Sequence, residues 1–440
     1  MENSDILEYD VAIIGGGIGG LSAAKVLKEQ HPDASIILCE KEDLVGQGTS
    51  RGDHNTNTAH TGAFYGADSL KGRSARKGFK FLKDYHDQKG LVRRDVGKII
   101  AASQPGDEAL IEKYFHQAIA NGQRPESVHI VSGDELRAEH EPLLSQNVNS
   151  GLLLRDCFLF DADGVMREIA RDLENVGVYV GVQHEVLDVQ AVPQGWLVKT
   201  NLGEFIAKHL VNQAGTHADR IAKMTGGAKD WKIIPVMGSY FELDTPADVH
   251  HTIYEPTRRP PFLGVHIMPG KEGKPFMGPD VFFSPFRERL GEETKKRRMK
   301  DWITEPFANL IGFAGNGKNA FPNASFYMGM LGSAEGRAEV RKHFARKEFA
   351  QDVQRLVNPD LLPIHPNKIH YLRSGIRAQA LDLVKGVILQ DMDKEVVQNP
   401  HANGSIAIHD KMPGSPGFTA SVGKAEWLVK EISEALKSSK

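Results

Sequence analysis

The stretch Tyr9 to Glu40 constrains the fold of this 440-residue chain more than any other. It opens with a short apolar run, Val11-Ala12-Ile13-Ile14, bounded by glycines, which reads as a buried parallel strand. Gly15-Gly16-Gly17-Ile18-Gly19-Gly20 follows, with glycine at all three positions of G-x-G-x-x-G, and Leu21 to Leu27 continue with small and apolar residues at helical spacing. The chemistry explains the spacing: Gly15 makes the turn, Gly17 lets N–H groups approach a pyrophosphate, and Gly20 lets helix and strand pack closely. A second strand, Ser35 to Cys39, ends in Glu40, where an acid accepts hydrogen bonds from a ribose 2′-OH. An ordinary glycine-rich turn does not carry strand, glycines, helix, strand and acid in this order. The stretch therefore predicts a dinucleotide site, and Glu40 would repel the 2′-phosphate of NADP, which leaves NAD or FAD.

With 25% charged residues and a formal net charge of -3, the chain has no basic excess for bulk nucleic-acid binding, so a small-molecule partner is expected. Its only cysteines, Cys39 and Cys157, lack motif spacing, which predicts no disulfide framework, no metal site and a reducing compartment. The acidic start Met1 to Asp5 has no signal-peptide pattern, and no apolar run approaches the ~20 residues needed to cross a bilayer. A cytoplasmic protein is expected. The basic cluster Lys295-Lys296-Arg297-Arg298, beside Trp302, Ile303 and Phe307, fits either a solvated helix or a peripheral membrane contact.

Beyond Glu40 a long polar loop, Lys41 to His60, should lie over the carboxyl end of the sheet, where open α/β folds bind ligands. Apolar spacing predicts a helix over Ser69 to Gln88, a strand at Gly97 to Ala102, and helices around Glu108 to Ala120, Gly133 to His140 and Val165 to Glu174. Strands follow at Val178 to Val182, Val186 to Val192, Trp196 to Lys199 and His209 to Gly215. From Ile233 the texture changes to short strands broken by proline and glycine, as in an antiparallel sheet lining a pocket. No second strand-bound G-x-G-x-x-G appears: Gly312 to Gly317 leads into Phe321-Pro322. With FAD in the first site, electrons would enter from a substrate and leave without NAD(P)H.

These residues resemble the FAD-dependent oxidoreductases of the D-amino-acid-oxidase and glycerol-3-phosphate-dehydrogenase superfamily, most closely L-2-hydroxyglutarate dehydrogenases and oxidases. The likeness rests on Gly15 to Glu40, His54-Asn55, His60-Thr61-Gly62 with Tyr65, Ser69-Leu70-Lys71, Gly97-Lys98, Pro261 to His266, Gly278-Pro279, Arg287-Glu288, Gly375 to Gln379 and Ser415-Pro416. The chain departs from the family pattern at Thr56-Asn57, Gly66-Ala67 and Lys411 to Gly414. The resemblance implies an α/β fold, α+β in its second domain: a Rossmann-like FAD-binding domain (residues 1–90, 150–228 and 366–440) interleaved with an antiparallel-sheet substrate domain (91–149 and 229–365). It implies FAD as cofactor, held by Gly15, Gly17, Gly20, Glu40, Thr61, Gly62, Val186, Gly215, Gly375, Gly417, Phe418 and Thr419. The implied reaction oxidises an L-2-hydroxy acid by hydride transfer to flavin N5, with oxygen or a quinone-type acceptor taking the electrons.

That chemistry needs a cation for the carboxylate, a base for the hydroxyl proton and a flavin. Arg377 offers a planar bidentate fork for the first task, against the plainer reading of a surface ion pair. His60 and His266 are the base candidates, against structural or flavin-packing roles. A dicarboxylate would need a second cation, from Arg287 or Lys71, and Tyr65 and Tyr240 could line the pocket as hydroxyl donors or pack in the core. Backbone N–H groups of Gly417, Phe418 and Thr419, opening the last helix, could stabilise negative charge on reduced flavin. Glycerol-3-phosphate dehydrogenase-like activity, amino-acid oxidation, and a flavin-binding regulatory protein without turnover stand as alternatives.

Overall fold

The computed structural model describes residues 6–257, 264–280, 282–284, 286–288, 332, 333, 336–338, 341, 342, 345–411 and 416–438. The basic cluster at 295–298 with its apolar neighbours, the glycines at 312–317, Pro261 to Leu263, and Met412 to Ser415 lie outside these residues.

The apolar run in the fingerprint forms the centre of an eight-stranded sheet. Its parallel part runs β20 (Ile406–Asp410), β11 (Gly203–Asn212), β1 (Leu7–Ile14), β2 (Ile36–Cys39) and β8 (Tyr179–Gly181). β19 (Lys394–Gln398) closes one edge antiparallel, and the hairpin of β9 (Val186–Val192) and β10 (Gly195–Thr200) continues from β11. Ile14 pairs with both Asn212 and Cys39, so β1, β2 and β11 end together and present Gly15, Glu40 and Gln213 along one rim. Helices α1 (Ile18–Gln30) and α2 (Leu70–Lys89) pack on one face of this sheet with three later helices: α4 (Ala162–Asn175), α7 (Gly417–Leu428) and α8 (Lys430–Ser438). Leu21, Leu27, Leu82, Ile169 and Ile432 are buried there, each contributing about 1.5–3 kcal/mol of apolar transfer. The short α5 (Ala218–Met224) packs on the other face through Ile221.

A ten-stranded second sheet runs β18 (Val387–Ile388), β17 (Ile369–Asp382), β12 (Trp231–Leu243), β15 (Phe276–Gly278), β14 (His266–Met268), β13 (Thr252–Tyr254), β4 (Lys98–Ala102), β6 (Ser150–Leu154) and β5 (Val128–Ser132), with β16 (Phe282–Phe283) also on β12. All its pairings are antiparallel except that of β13 with β4. α3 (Asp107–Ala120) and α6 (Arg346–Gln354) cover it, while β3 (Arg93–Asp95) and β7 (Phe158–Phe160) form a separate ribbon.

Two segments expected in the nucleotide domain pair in the second sheet. β6, Ser150 to Leu154, pairs there with β4 and β5. β17 pairs with β12 from Ile369 to Asp382, and with β18. Of the run of short strands expected from Ile233, β13 to β16 are two or three residues long, but the first, β12, is one long strand through Pro235 and Gly238, because β17 supplies a partner along its whole length.

Two glycines bring α2 and α7 into backbone contact. A Cβ on Gly78 would collide with the Thr419 carbonyl, and one on Gly423 with the Ser74 carbonyl. α2 begins with Ser69 as its N-cap, whose hydroxyl accepts from Gly72 N–H at 2.9 Å, and the Asp391 carboxylate accepts from Leu70 and Lys71 N–H. Gly90 ends the helix in the left-handed region at φ 63°. The start of α7 is thereby set beside the loop carrying His60, whose N–H donates to Thr419 Oγ1 at 3.4 Å.

Candidate active site

A cavity of about 1500 Å³ runs from the rim of the first sheet to the face of the second. Gly15, Gly17, Glu40, Val186 and Gly215 line one end; Tyr240, Tyr254, His266, Gly375 and Arg377 line the other. His60, Tyr65, Lys71, Gly417, Phe418 and Thr419 lie along it. The polar loop expected over the carboxyl ends forms its roof, from Lys41 to His60.

At the nucleotide end, Gly15 turns the chain at φ 108°, and Gly20 packs against the Gly15 carbonyl without lining the cavity. The structure adds demands that the spacing did not reveal. A Cβ on Gly16 would lie 2.7 Å from the Glu40 Cβ, and Gly19 faces Gln213. Glu40 Oε2 accepts from Gly16 N–H at 2.8 Å, and its Oε1 accepts from Glu42 N–H at 2.9 Å. Burial pushes the Glu40 carboxyl up, opposed by these two N–H groups and by Lys41. The Ser50 hydroxyl, which sequence reasoning missed, accepts from Ile18 N–H at 3.2 Å at the first turn of α1. It lies 2.8 Å from where a Gly17 Cβ would stand. A helix N-terminus and a glycine cradle that a single methyl would block match a pyrophosphate in kind and shape. The buried Gln213 Nε2 nearby has no hydrogen-bond partner among the described residues.

The histidine end is a low-dielectric pocket. His266 on β14 is buried and stacks on Tyr254, with ring centroids 3.7 Å apart and an interplanar angle of 25°. Burial, then the charges of Lys98 and Arg377, pulls its pKa down to about 3. His60 has a buried Nδ1 without a partner, and burial, Lys98 and His266 hold its pKa well below the usual histidine range. Both imidazoles are neutral at neutral pH, the state a base requires. Arg377, on β17 opposite Val236, has a buried Nη2 without a partner. Its charge is opposed by burial, and the ionisable groups that favour it are Tyr240 and Tyr65 rather than a carboxylate. Lys71, in the first turn of α2, stands 5.6 Å from the Tyr65 ring and donates to the Gln390 carbonyl at 2.9 Å. Burial pulls its pKa down to about 8, aided by Arg377 and Lys424 and opposed by Asp391.

Three expected residues have other roles in the packing. Arg287 lines the cavity, but it is 3% exposed and its fork is taken by both Asp219 oxygens and the Thr216 carbonyl. Thr61 and Gly62 lie behind His60, outside the cavity wall. Gly62, at φ 84°, packs on Asn121, whose amide donates to the Gly62 and Tyr65 carbonyls at 3.1 and 2.8 Å. They shape the turn that presents His60. Gly375 lines the cavity, but its lack of a side chain also admits the His54 carbonyl of the roof loop.

A family model described as FAD dependent oxidoreductase (DAO) matches residues 10–430. The chain belongs to that family. As a DAO-family FAD-dependent oxidoreductase, it is 31% identical over 438 residues to an L-2-hydroxyglutarate dehydrogenase of Escherichia coli (strain K12), covering 98% of this chain and 94% of the relative. It is 27% identical over 445 residues to the mitochondrial L-2-hydroxyglutarate dehydrogenase of Homo sapiens, with coverages of 97% and 89%. Among solved structures, the L-alpha-glycerophosphate oxidase of Mycoplasma pneumoniae with FAD bound superposes with a TM-score of 0.68 at 20% identity, covering 99% of this chain and 95% of that one. The DAO fold and its FAD cofactor are therefore established, and the glycine cradle, Glu40 and Ser50 fit the dinucleotide. No described helix is long and apolar enough to cross a membrane.

Proposed function

We propose that this enzyme oxidises an L-2-hydroxy acid, L-2-hydroxyglutarate foremost, to the 2-oxo acid, passing electrons to a quinone-type acceptor or oxygen. The observation that carries this reading is Arg377: a half-buried side chain whose Nη2 is buried and unpartnered, in one cavity with two neutral imidazoles. An anion is the natural partner of such a fork, and a substrate carboxylate bound there would bring its C2 hydroxyl towards the histidines. His60, with its unpartnered Nδ1, is our first choice to accept the hydroxyl proton, and His266 the second. Lys71 takes the distal carboxylate of a dicarboxylate, with Tyr65 and Tyr240 as the wall between the two cations. When bound, FAD supplies the acceptor for the hydride leaving C2. The dehydrogenases named above, similar across nearly the whole chain, support the same substrate.

The test is anaerobic flavin bleaching by L-2-hydroxyglutarate, with the D-enantiomer, glycerol 3-phosphate and glycine alongside. Rapid bleaching by the L-acid alone is expected. Faster reduction by glycerol 3-phosphate or glycine would replace this substrate with that one.

A further inference from the structure

Glu288 reaches the nucleotide end of the cavity from the second sheet, a few residues after β16. The neighbouring Arg287 carries it there: its guanidinium is held by Asp219 of α5 and the Thr216 carbonyl, which sets this stretch of chain beside the carboxyl end of β11. Glu288 Oε1 then meets two partners. It accepts from Lys41 Nζ, and from His217 Nε2 at 2.7 Å. Lys41 follows β2 and His217 follows β11, the two strands that flank β1. Glu288 therefore ties together the segments on either side of the glycine turn.

The surrounding groups make this bridge a unit. Burial opposes the charge on Glu288, but the His217 hydrogen bond and the Lys41 ammonium outweigh it and hold the carboxyl well below the usual carboxylate range. Burial keeps the His217 pKa below its ordinary value despite Glu288, so the ring is neutral at neutral pH. Its Nε2–H donates to Glu288, and its Nδ1 accepts from Arg220 Nη1 at 3.3 Å. Glu42 lies 3.2 Å from the Lys41 ammonium. The side chains of Lys41, His217 and Glu288 are 27%, 23% and 32% exposed, and ion pairs so open to water add little to folding. What adjoins them matters more. Lys41 follows Glu40, the acid at the rim, and His217 stands two residues past Gly215. The three bridge residues line the cavity together with Gly15, Gly17, Glu40 and Gly215.

We propose that Lys41, Glu288 and His217 form a clasp for FAD: by tying the segment after β2 to the segment after β11, Glu288 holds Glu40 and Gly215 in place, so that the dinucleotide binds between walls already ordered and leaves slowly. These are positioning residues, which act through the walls of the cofactor site. The clasp depends on the FAD cofactor and on no particular substrate.

The test is the rate of FAD release from oxidised holoenzyme, read as the rise of free-flavin fluorescence after dilution, beside denaturant unfolding of each apoprotein. Glu288→Gln and Lys41→Met should each release FAD about tenfold faster, the double variant no faster than either single one, and Lys41→Arg at the wild-type rate, all with apoprotein stability unchanged. Wild-type release from both Glu288→Gln and Lys41→Met would overturn the proposal. So would release about a hundredfold faster in the double variant, the product of two independent losses, because a Lys41 that acts on FAD directly has no need of Glu288. Destabilised apoproteins with unchanged release would reduce the bridge to a structural ion pair. Should Glu288→Gln take up no FAD, Glu288→Asp, which keeps the charge and shortens the reach, replaces it in the same comparison with the same outcomes.

Discussion

Arg377 shows how far a single residue could be read. Its guanidinium in a glycine-flanked stretch suggested a carboxylate anchor, but a surface ion pair looked the same in sequence. Only the placement of β17 against β12 brings it, half-buried, beside Tyr240 and Tyr65. Arg377→Met should lower the second-order rate constant of flavin reduction about 100-fold, ~3 kcal/mol for a charge-assisted pair, while FAD content stays normal. Equal rate constants in the two proteins would take Arg377 out of the substrate site. Arg287 looked equally suitable, and the structure assigns it to Asp219, because a partner 68 residues away in sequence is invisible until the chain folds. Lys71, with its pKa pulled down to about 8, carries a pH prediction. Above that value it loses its charge, so the rate constant for L-2-hydroxyglutarate should decline as pH rises through about 8. The decline should be absent in Lys71→Met; a limb of the same position in that variant would belong to another group.

At the level of elements, the local signals were strong where periodicity and caps agreed. α2 was expected over Ser69 to Gln88 and forms at Leu70–Lys89, with Ser69 as its cap. What the sequence could not display was the reason for the glycines within it. Gly78 lies mid-helix at a cost of roughly 1 kcal/mol in helix propensity, a cost explained only by the Thr419 carbonyl that it admits. Gly78→Val should force α2 and α7 apart, cost about 3 kcal/mol in stability, and weaken FAD binding, because Gly417 to Thr419 move with α7. Denaturant unfolding of the apoprotein and the FAD dissociation constant measure the two effects separately. Wild-type values for both would show that the contact yields without strain.

For the whole molecule, buried neutral histidines set an acid limit. His266 and His409 are pulled down to about 3 and His209 to about 4, mainly by burial. His409 accepts from the Asn212 amide at Nδ1 and meets Thr225 Oγ1 at Nε2, a pairing that a second ring proton would break. Unfolded, each takes a proton near pH ~6.5, so between that value and the folded pKa the unfolded state binds more protons. Their contribution is complete above pH ~6.5 and is lost as pH falls. Glu40, pushed up by burial, works the other way. The melting temperature should therefore drop steadily from pH 7 to 5, less so in His409→Gln, and a level profile would contradict the neutral assignment. At this scale the sequence by itself determined the nucleotide fold, its glycine cradle and the acid at its rim, because strand, turn and helix there are neighbours in the chain and each follows from local sterics and periodicity. The far end of the cavity depends on the tertiary fold. Lys98 from β4, Tyr254 from β13, His266 from β14 and Arg377 from β17 meet only through the order of the second sheet, and their burial depends on that meeting. Spacing along a chain carries no record of what strands so distant in sequence bring together.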